Sequence, residues 1–257
     1  MRKMKNKKLY NIFTAIGAFI LLLALCASGT MVFHSYYYEL IYVSGGSMYP
    51  TLNKNYKDDT ADTAGSVVDF GIVDTHKSAL KHIERFDVVS TYYPESSDYY
   101  LETNTLRPGA KKKIKRVIAL PNETFKIEKG SLFVLKDGDY EKISYPFKTN
   151  PEVDSGYEGK DTAEPITLKE DEYWVLGDNR VASNDCAAIG KPIKYENLLG
   201  VLVAIEGHGT LYAKRYVCDN CGSKYSIKGG NVCSKCGSAL KIEYDVNNKQ
   251  YKWPIFF

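Results

Sequence analysis

Residues 115–135 read KRVIALPNETFKIEKGSLFVL, three short apolar runs cut by Pro121-Asn122 and by Lys129-Gly130. Lys115 to Leu120, Thr124 to Glu128 and Ser131 to Leu135 are rich in β-branched and aromatic residues and bounded by turn formers. That pattern predicts three strands joined by tight turns. Working outward, Val88 to Tyr93 and Glu172 to Leu176 have the same content, and Asp137-Gly138 marks a further turn. The best helical candidate in this part of the chain is short, Lys77 to Glu84. Asn53 to Gly65 and Asn150 to Glu164 are polar and predict exposed loops. The fold class that follows is mainly β.

With 257 residues the chain holds one sizeable domain with appendages, or two small domains. Lys and Arg number 34 against 31 Asp and Glu, a net +3 that argues against nucleic acid as a partner. Placement of charge says more. Arg2, Lys3, Lys5, Lys7 and Lys8 precede Ile12 to Phe33, 22 residues without a charge. At ~1.5 Å per residue this run reaches the ~30 Å of a hydrocarbon core. The basic flank predicts a cytoplasmic N-terminus at 1–11, a single transmembrane anchor at 12–33 and an exported remainder. Tyr36, Tyr37, Tyr38 and Tyr42 would form an interfacial aromatic belt in contact with membrane lipid. A cleavable secretory signal also has a basic start and an apolar core, but that core is usually only ~7–15 residues.

Two segments carry catalytic chemistry. Ser47 lies in Ser44-Gly45-Gly46-Ser47-Met48-Tyr49-Pro50, and Lys115 lies in Lys113-Ile114-Lys115-Arg116-Val117. A serine hydroxyl attacks a carbonyl only when a base takes its proton. The four histidines, His34, His76, His82 and His208, stand in no recognisable triad context. Lysine can serve when neutral, which requires lowering its pKa by about 3 units, or roughly 4 kcal/mol, within reach of apolar burial. Lys115 has Ile114, Val117 and Ile118 around it, and in a strand Val117 shares its face. Taken singly, Lys115 also reads as an exposed member of a basic run, and Ser47 as a turn residue.

Order along the chain changes that reading. Ser47, then Lys115 in Lys-Arg-Val-x-x-Leu-Pro, then Gly177-Asp178-Asn179-Arg180 with Ser183 and Asp185, resembles the bacterial type I signal peptidases of the S26 family, Gram-positive-like in having Gly45 two places before the serine. The resemblance implies a signal-peptidase-like β domain at 34–207 and a membrane-bound serine endopeptidase that cleaves preprotein signal peptides at small-x-small sites. Ser47 would be the nucleophile and Lys115 the general base, with no cofactor for catalysis. The Ser47 N–H would donate to the oxyanion. Ser183 would hydrogen-bond and orient the lysine, Asp178, Asn179, Arg180 and Asp185 would support the site, and Met48 and Pro50 would belong to the substrate pocket and its turn. Two departures stand out. The family usually continues Ser-x-Asp-Ser-Arg, whereas Cys186-Ala187 follows Asp185 here, so the arginine partner is absent. Phe86-Asp87-Val88-Val89 stands where the family has Gly-Asp-Val-Val.

Beyond Gly207-His208-Gly209, which reads as a linker, residues 211–257 change character. Cys218-x-x-Cys221-Gly and Cys233-x-x-Cys236-Gly are matching knuckles with eleven residues between them. Four thiolates suit tetrahedral zinc and a small zinc-ribbon-like β module; disulfides are the alternative in an oxidising compartment. Ile242 to Val246, Asn247-Asn248 and Lys249 to Tyr251 read as strand, turn and strand. Three functional readings remain distinct: a general signal peptidase, a processing peptidase for a special substrate, and a catalytically inactive membrane-anchored zinc-ribbon scaffold. A self-cleaving repressor-type protease shares the Ser-Lys chemistry but carries no such anchor.

Overall fold

The uncharged run near the N-terminus forms the middle of a helix, α1 (Arg2–Tyr37). No proline interrupts it, and its stretch Tyr10–Thr30, 21 residues of mean hydropathy 2.3, is exposed along its whole length. A helix apolar on every face is suited to lipid rather than to a one-sided core. In this computed structural model the described residues are 2–54, 66–92, 99–100, 105–106, 112–153, 155–218, 220–225 and 232–256. The chain divides into two units, Met1–Glu39 and Leu40–Phe257.

The second unit is built on strands. In chain order they are β1 (Tyr38–Val43), β2 (Val67–Asp74), β3 (Val88–Thr91), β4 (Tyr99–Tyr100), β5 (Thr105–Leu106), β6 (Lys113–Ala119), β7 (Thr124–Glu128) and β8 (Ser131–Lys136). There follow β9 (Asp139–Ile143), β10 (Ile166–Thr167), β11 (Glu172–Leu176), β12 (Ile193–Lys194), β13 (Leu198–Cys218), β14 (Lys224–Tyr225) and β15 (Leu240–Phe256). Two short helices, α2 (Lys77–Lys81) and α3 (Cys186–Ile189), complete the unit. The strands expected from sequence between residues 88 and 176 all form, and the expected helix stops at Lys81. Tyr93, the loop from 55 to 65, Gly229-Gly230 and Phe257 lie outside the described residues.

The main sheet runs β1-β2-β13-β3-β6-β11-β12, with β14 and β15 also on β13. A smaller sheet runs β10-β7-β8-β9. The turn at Asn122 carries the chain from the main sheet into the smaller one, and the space between is filled from both sides by Val117, Phe125, Ile127, Leu132 and Trp174. A second cluster, including Val43, Met48, Leu52, Val88 and Leu202, lies under the turn that follows β1.

Two expectations change. Gly207 to Gly209 is no linker: it lies in the middle of β13, paired to β2 on one edge and β15 on the other. These glycines answer to close approach. A Cβ on Gly207 would stand 2.2 Å from the Gln250 carbonyl oxygen, and one on Gly209 would stand 2.3 Å from Val246 Cγ1. Asn247-Asn248 is likewise no turn between strands, because β15 stays on β13 throughout. Asn247 pairs with Thr210 and Gln250 with His208, leaving Asn248 and Lys249 opposite the single residue Gly209, and Asn248 takes φ 49°. That is a β-bulge, which lets the ribbon bend without losing its partner. Asn150 to Glu164 is exposed or half-exposed at every described residue but Lys160, as expected, yet its backbone is tied to the small sheet. The Asp161 carboxylate accepts the N–H groups of Lys129 (2.6 Å) and Gly130 (3.0 Å), and Thr162 N–H donates to Ile127 O (3.0 Å).

Gly207→Ala is expected to overpack the sheet and lower stability by about 1–3 kcal/mol. Denaturant unfolding of the detergent-solubilised chain measures this; an unchanged midpoint would restore the linker reading.

Candidate active site

The turn after β1 is held from behind. Gly45 takes φ 84°, a conformation that costs a residue with a Cβ, and so turns the chain sharply before the serine. Buried Asn53 donates through Nδ2 to the carbonyls of Val43 (2.7 Å) and Gly45 (2.9 Å), while its Oδ1 accepts Asp69 N–H (2.7 Å). Asn179 does the same for the next two carbonyls, with Nδ2 donating to Gly46 O (3.0 Å) and its N–H to Ser47 O (3.0 Å). Four successive constraints therefore fix the backbone around Ser47. Among the described residues no backbone carbonyl takes the Ser47 N–H.

Lys115 reaches this turn from β6, where it lies opposite Val89 of β3. It is 4 % exposed. Its Nζ donates to Ser47 Oγ at 2.8 Å and to its neighbour's carbonyl, Ile114 O, at 2.9 Å. Burial lowers its pKa from the ordinary 10.5 to about 8; the carboxylates of Asp185 and Asp178 push it up, and Lys113 and Lys160 push it down. A lysine so placed can exchange a proton with the Ser47 hydroxyl once neutral.

The next residue, Arg116, points to the opposite face of β6. Its Nε and Nη2 donate to the two oxygens of buried Asp178 (2.8 and 2.6 Å), Nη1 donates to Phe86 O (2.8 Å), and its guanidinium lies 3.9 Å above the centre of the Phe147 ring. Thr51 Oγ1 donates to the same carboxylate at 2.5 Å. Through Thr51 and Asp178 the serine turn is thus bonded to the β6 and β11 ends. Phe86, where the family has glycine, adopts φ 79°. Its ring packs edge-on against Tyr145 and Phe147, at 5.5 and 5.3 Å between centroids, so the strained backbone is offset by aromatic burial.

The loop after β11 supplies the rest. Asp185, fully buried, caps α3 and accepts Gly177 N–H at Oδ2 (3.0 Å). Its cation is Lys160, whose Nζ donates to Asp185 Oδ1 (2.9 Å) and to Ser183 O (2.7 Å). The arginine missing after Asp185 is replaced by a lysine 25 residues earlier, in the segment expected to be exposed. Ser183 is brought to the site but not to the expected bond. Its Oγ is buried with no hydrogen-bond partner among the described residues, and Lys115 bonds Ser47 and Ile114 O instead. It faces the serine turn across Gly177, where a Cβ would stand 2.2 Å from Ser183 Oγ and 2.4 Å from Ser47 O. Arg180 is 6 % exposed, its guanidinium carbon 5.5 Å from the Tyr145 ring centre, and its backbone N–H donates to Asn150 O (2.7 Å). Met48 does not line an open pocket: at 1 % exposed it is closed into the second core cluster, where its apolar thioether belongs, while Pro50 is half-buried in the turn. Cys186 is a core residue whose thiol burial pushes up to about 12, so it stays protonated and inert.

Residues 12–205 match the family described as signal peptidase, peptidase S26. That span is well over half of the chain. The chain belongs to the signal peptidase family S26. It is 29 % identical over 138 residues to signal peptidase I V of Bacillus subtilis (strain 168), covering 51 % of this chain and 71 % of that protein. A signal peptidase I from Enterococcus faecalis V583, solved by crystallography, is 22 % identical, with a TM-score of 0.33 over 47 % of this chain and 96 % of that one. This S26 member is therefore a signal peptidase hydrolase, a serine peptidase acting on preproteins that bear signal peptides, and its apolar N-terminal helix makes it membrane-anchored. The family match ends at residue 205, inside β13.

Beyond that point this signal peptidase gathers Cys218, Cys221, Cys233 and Cys236, whose four Sγ atoms lie within 4.8 Å of one another. Tetrahedral zinc at ~2.3 Å from each sulfur sets sulfurs about 3.8 Å apart. The pairs Cys218–Cys236 and Cys221–Cys233 stand at 3.4 and 3.5 Å. The two knuckles close identically, Gly222 N–H on Cys218 O and Gly237 N–H on Cys233 O, both at 2.8 Å, with both glycines at positive φ. Four convergent thiols fit a zinc ion.

Sequence reasoning missed Asn53 and Lys160 as site residues, since each belongs to a polar stretch and only the partner elsewhere along the chain gives it meaning. Arg116 stood in the sequence as a member of a basic run and of the Lys115-Arg116-Val117 segment, with no partner indicated. Asp178→Asn leaves Arg116 buried without its charge partner; it is expected to cost about 3–5 kcal/mol, read as a lowered unfolding midpoint together with loss of cleavage activity.

Proposed function

We propose that Ser47 is the nucleophile and Lys115 the general base of this signal peptidase. The observation that carries the reading is the 2.8 Å contact between Lys115 Nζ and Ser47 Oγ, made by a lysine whose burial holds its pKa at about 8. Neutral Lys115 takes the hydroxyl proton as Ser47 Oγ attacks the scissile carbonyl, and the resulting ammonium returns a proton to the leaving amine. The Ser47 N–H donates to the oxyanion, a preorganised role for a backbone amide in a dry site. The substrate is an extended preprotein segment cut after a small-x-small sequence such as Ala-x-Ala. The basic residues in the first turns of α1, ahead of its apolar run, favour a cytoplasmic N-terminus and an extracytoplasmic catalytic unit, where exported chains meet the enzyme. Zinc bound by Cys218, Cys221, Cys233 and Cys236 is structural: it joins the turn after β13 to the start of β15 and takes no part in proton transfer.

Three measurements test this. With a preprotein carrying an Ala-x-Ala site, the solubilised wild type is expected to cut after that sequence, and Ser47→Ala and Lys115→Ala to lose cleavage; cutting by either variant would sink the dyad. The sign of the pH dependence follows from which form works. Only the neutral amine accepts a proton, so kcat/KM should climb tenfold per unit below pH 8 and level off above it. At pH 7 about a tenth of Lys115 is neutral, roughly 300-fold more than an ordinary lysine would offer. For the metal, elemental analysis of the purified chain should give one zinc per chain, with Cys236→Ser lowering both the zinc content and the unfolding temperature; a metal-free chain with paired disulfides would overturn that assignment.

A further inference from the structure

Two buried carboxylates lie near Lys115, and each already has a cation of its own. Asp178 is paired with Arg116 (2.6 Å) and Asp185 with Lys160 (2.9 Å). Lys115 itself enters no ion pair among the described residues; it is a buried amine bonded to a hydroxyl and a carbonyl. The arrangement leaves two acids, two matched cations, and one lysine over. Of the two cations, Arg116 belongs to the strand that carries the site. Lys160 comes from a different stretch, is only 7 % exposed, and bridges Asp185 Oδ1 and Ser183 O, while the other Asp185 oxygen takes Gly177 N–H. In that loop Asn179 donates its N–H to Ser47 O (3.0 Å), and Gly177 lies between Ser47 O and Ser183 Oγ with no room for a Cβ.

We propose that Lys160 is a positioning residue for catalysis, holding the 177–185 loop against Ser47 and neutralising Asp185 so that Lys115 remains the unmatched amine that can act as base. The inference rests on the Ser47/Lys115 reading. Without Lys160 the Asp185 carboxylate is buried with only N–H donors, and its uncompensated charge favours the ammonium form of Lys115. Every charged or titratable group acting on Lys115 enters the balance. Asp185 and Asp178 favour the ammonium, Lys113 on its own strand and Lys160 oppose it, and the Cys186 thiol behind Asp185 stays neutral. Removing Lys160 takes away an opposing charge. The proton would then leave Lys115 only at higher pH.

The test is the pH profile of kcat/KM of the full-length, detergent-solubilised chain on a preprotein with an Ala-x-Ala site, with thermal unfolding of each variant. In Lys160→Met the acidic limb is expected to move up by on the order of one pH unit, lowering the rate at pH 7 about tenfold. Lys160→Arg, which keeps the charge, should return the limb to within a few tenths of wild type. Asp185→Asn, which removes the acid and leaves Lys160, should move the limb the other way; it decides the matter if Lys160→Met does not fold. A folded Lys160→Met whose limb is unmoved, an arginine variant shifted as far as the methionine one, or an Asp185→Asn limb that stays or rises would overturn the proposal. A wild type with no limb near pH 8 would overturn the dyad as well, which separates the two failures.

Discussion

The hydrogen bond from Lys115 Nζ to Ser47 Oγ joins residues 68 apart in sequence, and it can exist only while β6 and the turn after β1 are held at a fixed separation. Burying an amine is costly unless its surroundings favour the neutral form. The strands around Lys115 do this with apolar walls: Val89, opposite it on β3, and Val117, on its own face of β6, are fully buried. The nearby acids that would draw a proton onto the amine are occupied elsewhere, Asp178 by Arg116 and Asp185 by Lys160. Alternation along β6 separates the two tasks, since Lys115 faces the serine and Arg116, one residue on, faces the scaffold.

The serine side is rigid for a different reason. Asn53 and Asn179 hold four carbonyls between Val43 and Ser47 with side-chain and backbone donors. Thr51 and Asp178 then tie that turn to Arg116, so Ser47 and Lys115 share one hydrogen-bonded frame. The frame has a strained point in Phe86, whose left-handed backbone would suit glycine. Here the ring packs with Tyr145 and Phe147, and Phe147 in turn lies under Arg116. Local strain and tertiary packing have been exchanged for one another at this position.

The C-terminal cysteines are connected to that frame by hydrogen bonds rather than by a tether. β13 leaves the core beside β3, gives up that partner after Val201, and takes β15 on the same edge from Ala204 to Cys218. The glycines at 207 and 209 admit the close approach and the bulge that let β2 and β15 flank one strand. The end that gathers the four cysteines therefore braces the strand that also carries Leu202 and Ile205 into the cluster beneath Ser47.

By itself the sequence determined what depends on near neighbours: the apolar run of α1, the short strands between residues 88 and 176, the two cysteine knuckles, and the order of Ser47, Lys115 and Gly177–Asp185. Those signals are local because periodicity, turn chemistry and chelate spacing act over a few residues. Only the tertiary structure decided which polar residues are buried. Lys160 and Asn53 look like solvent-facing loop residues until their partners arrive from 25 and 16 residues away. Met48 reads as a pocket residue until the core cluster beneath the serine turn closes around it. Glycines read as a linker until a second strand leaves no room for a side chain. Whether a polar group is paired or solvated depends on what folding brings to it, and that information resides in the register of distant strands rather than in the residue's own neighbourhood.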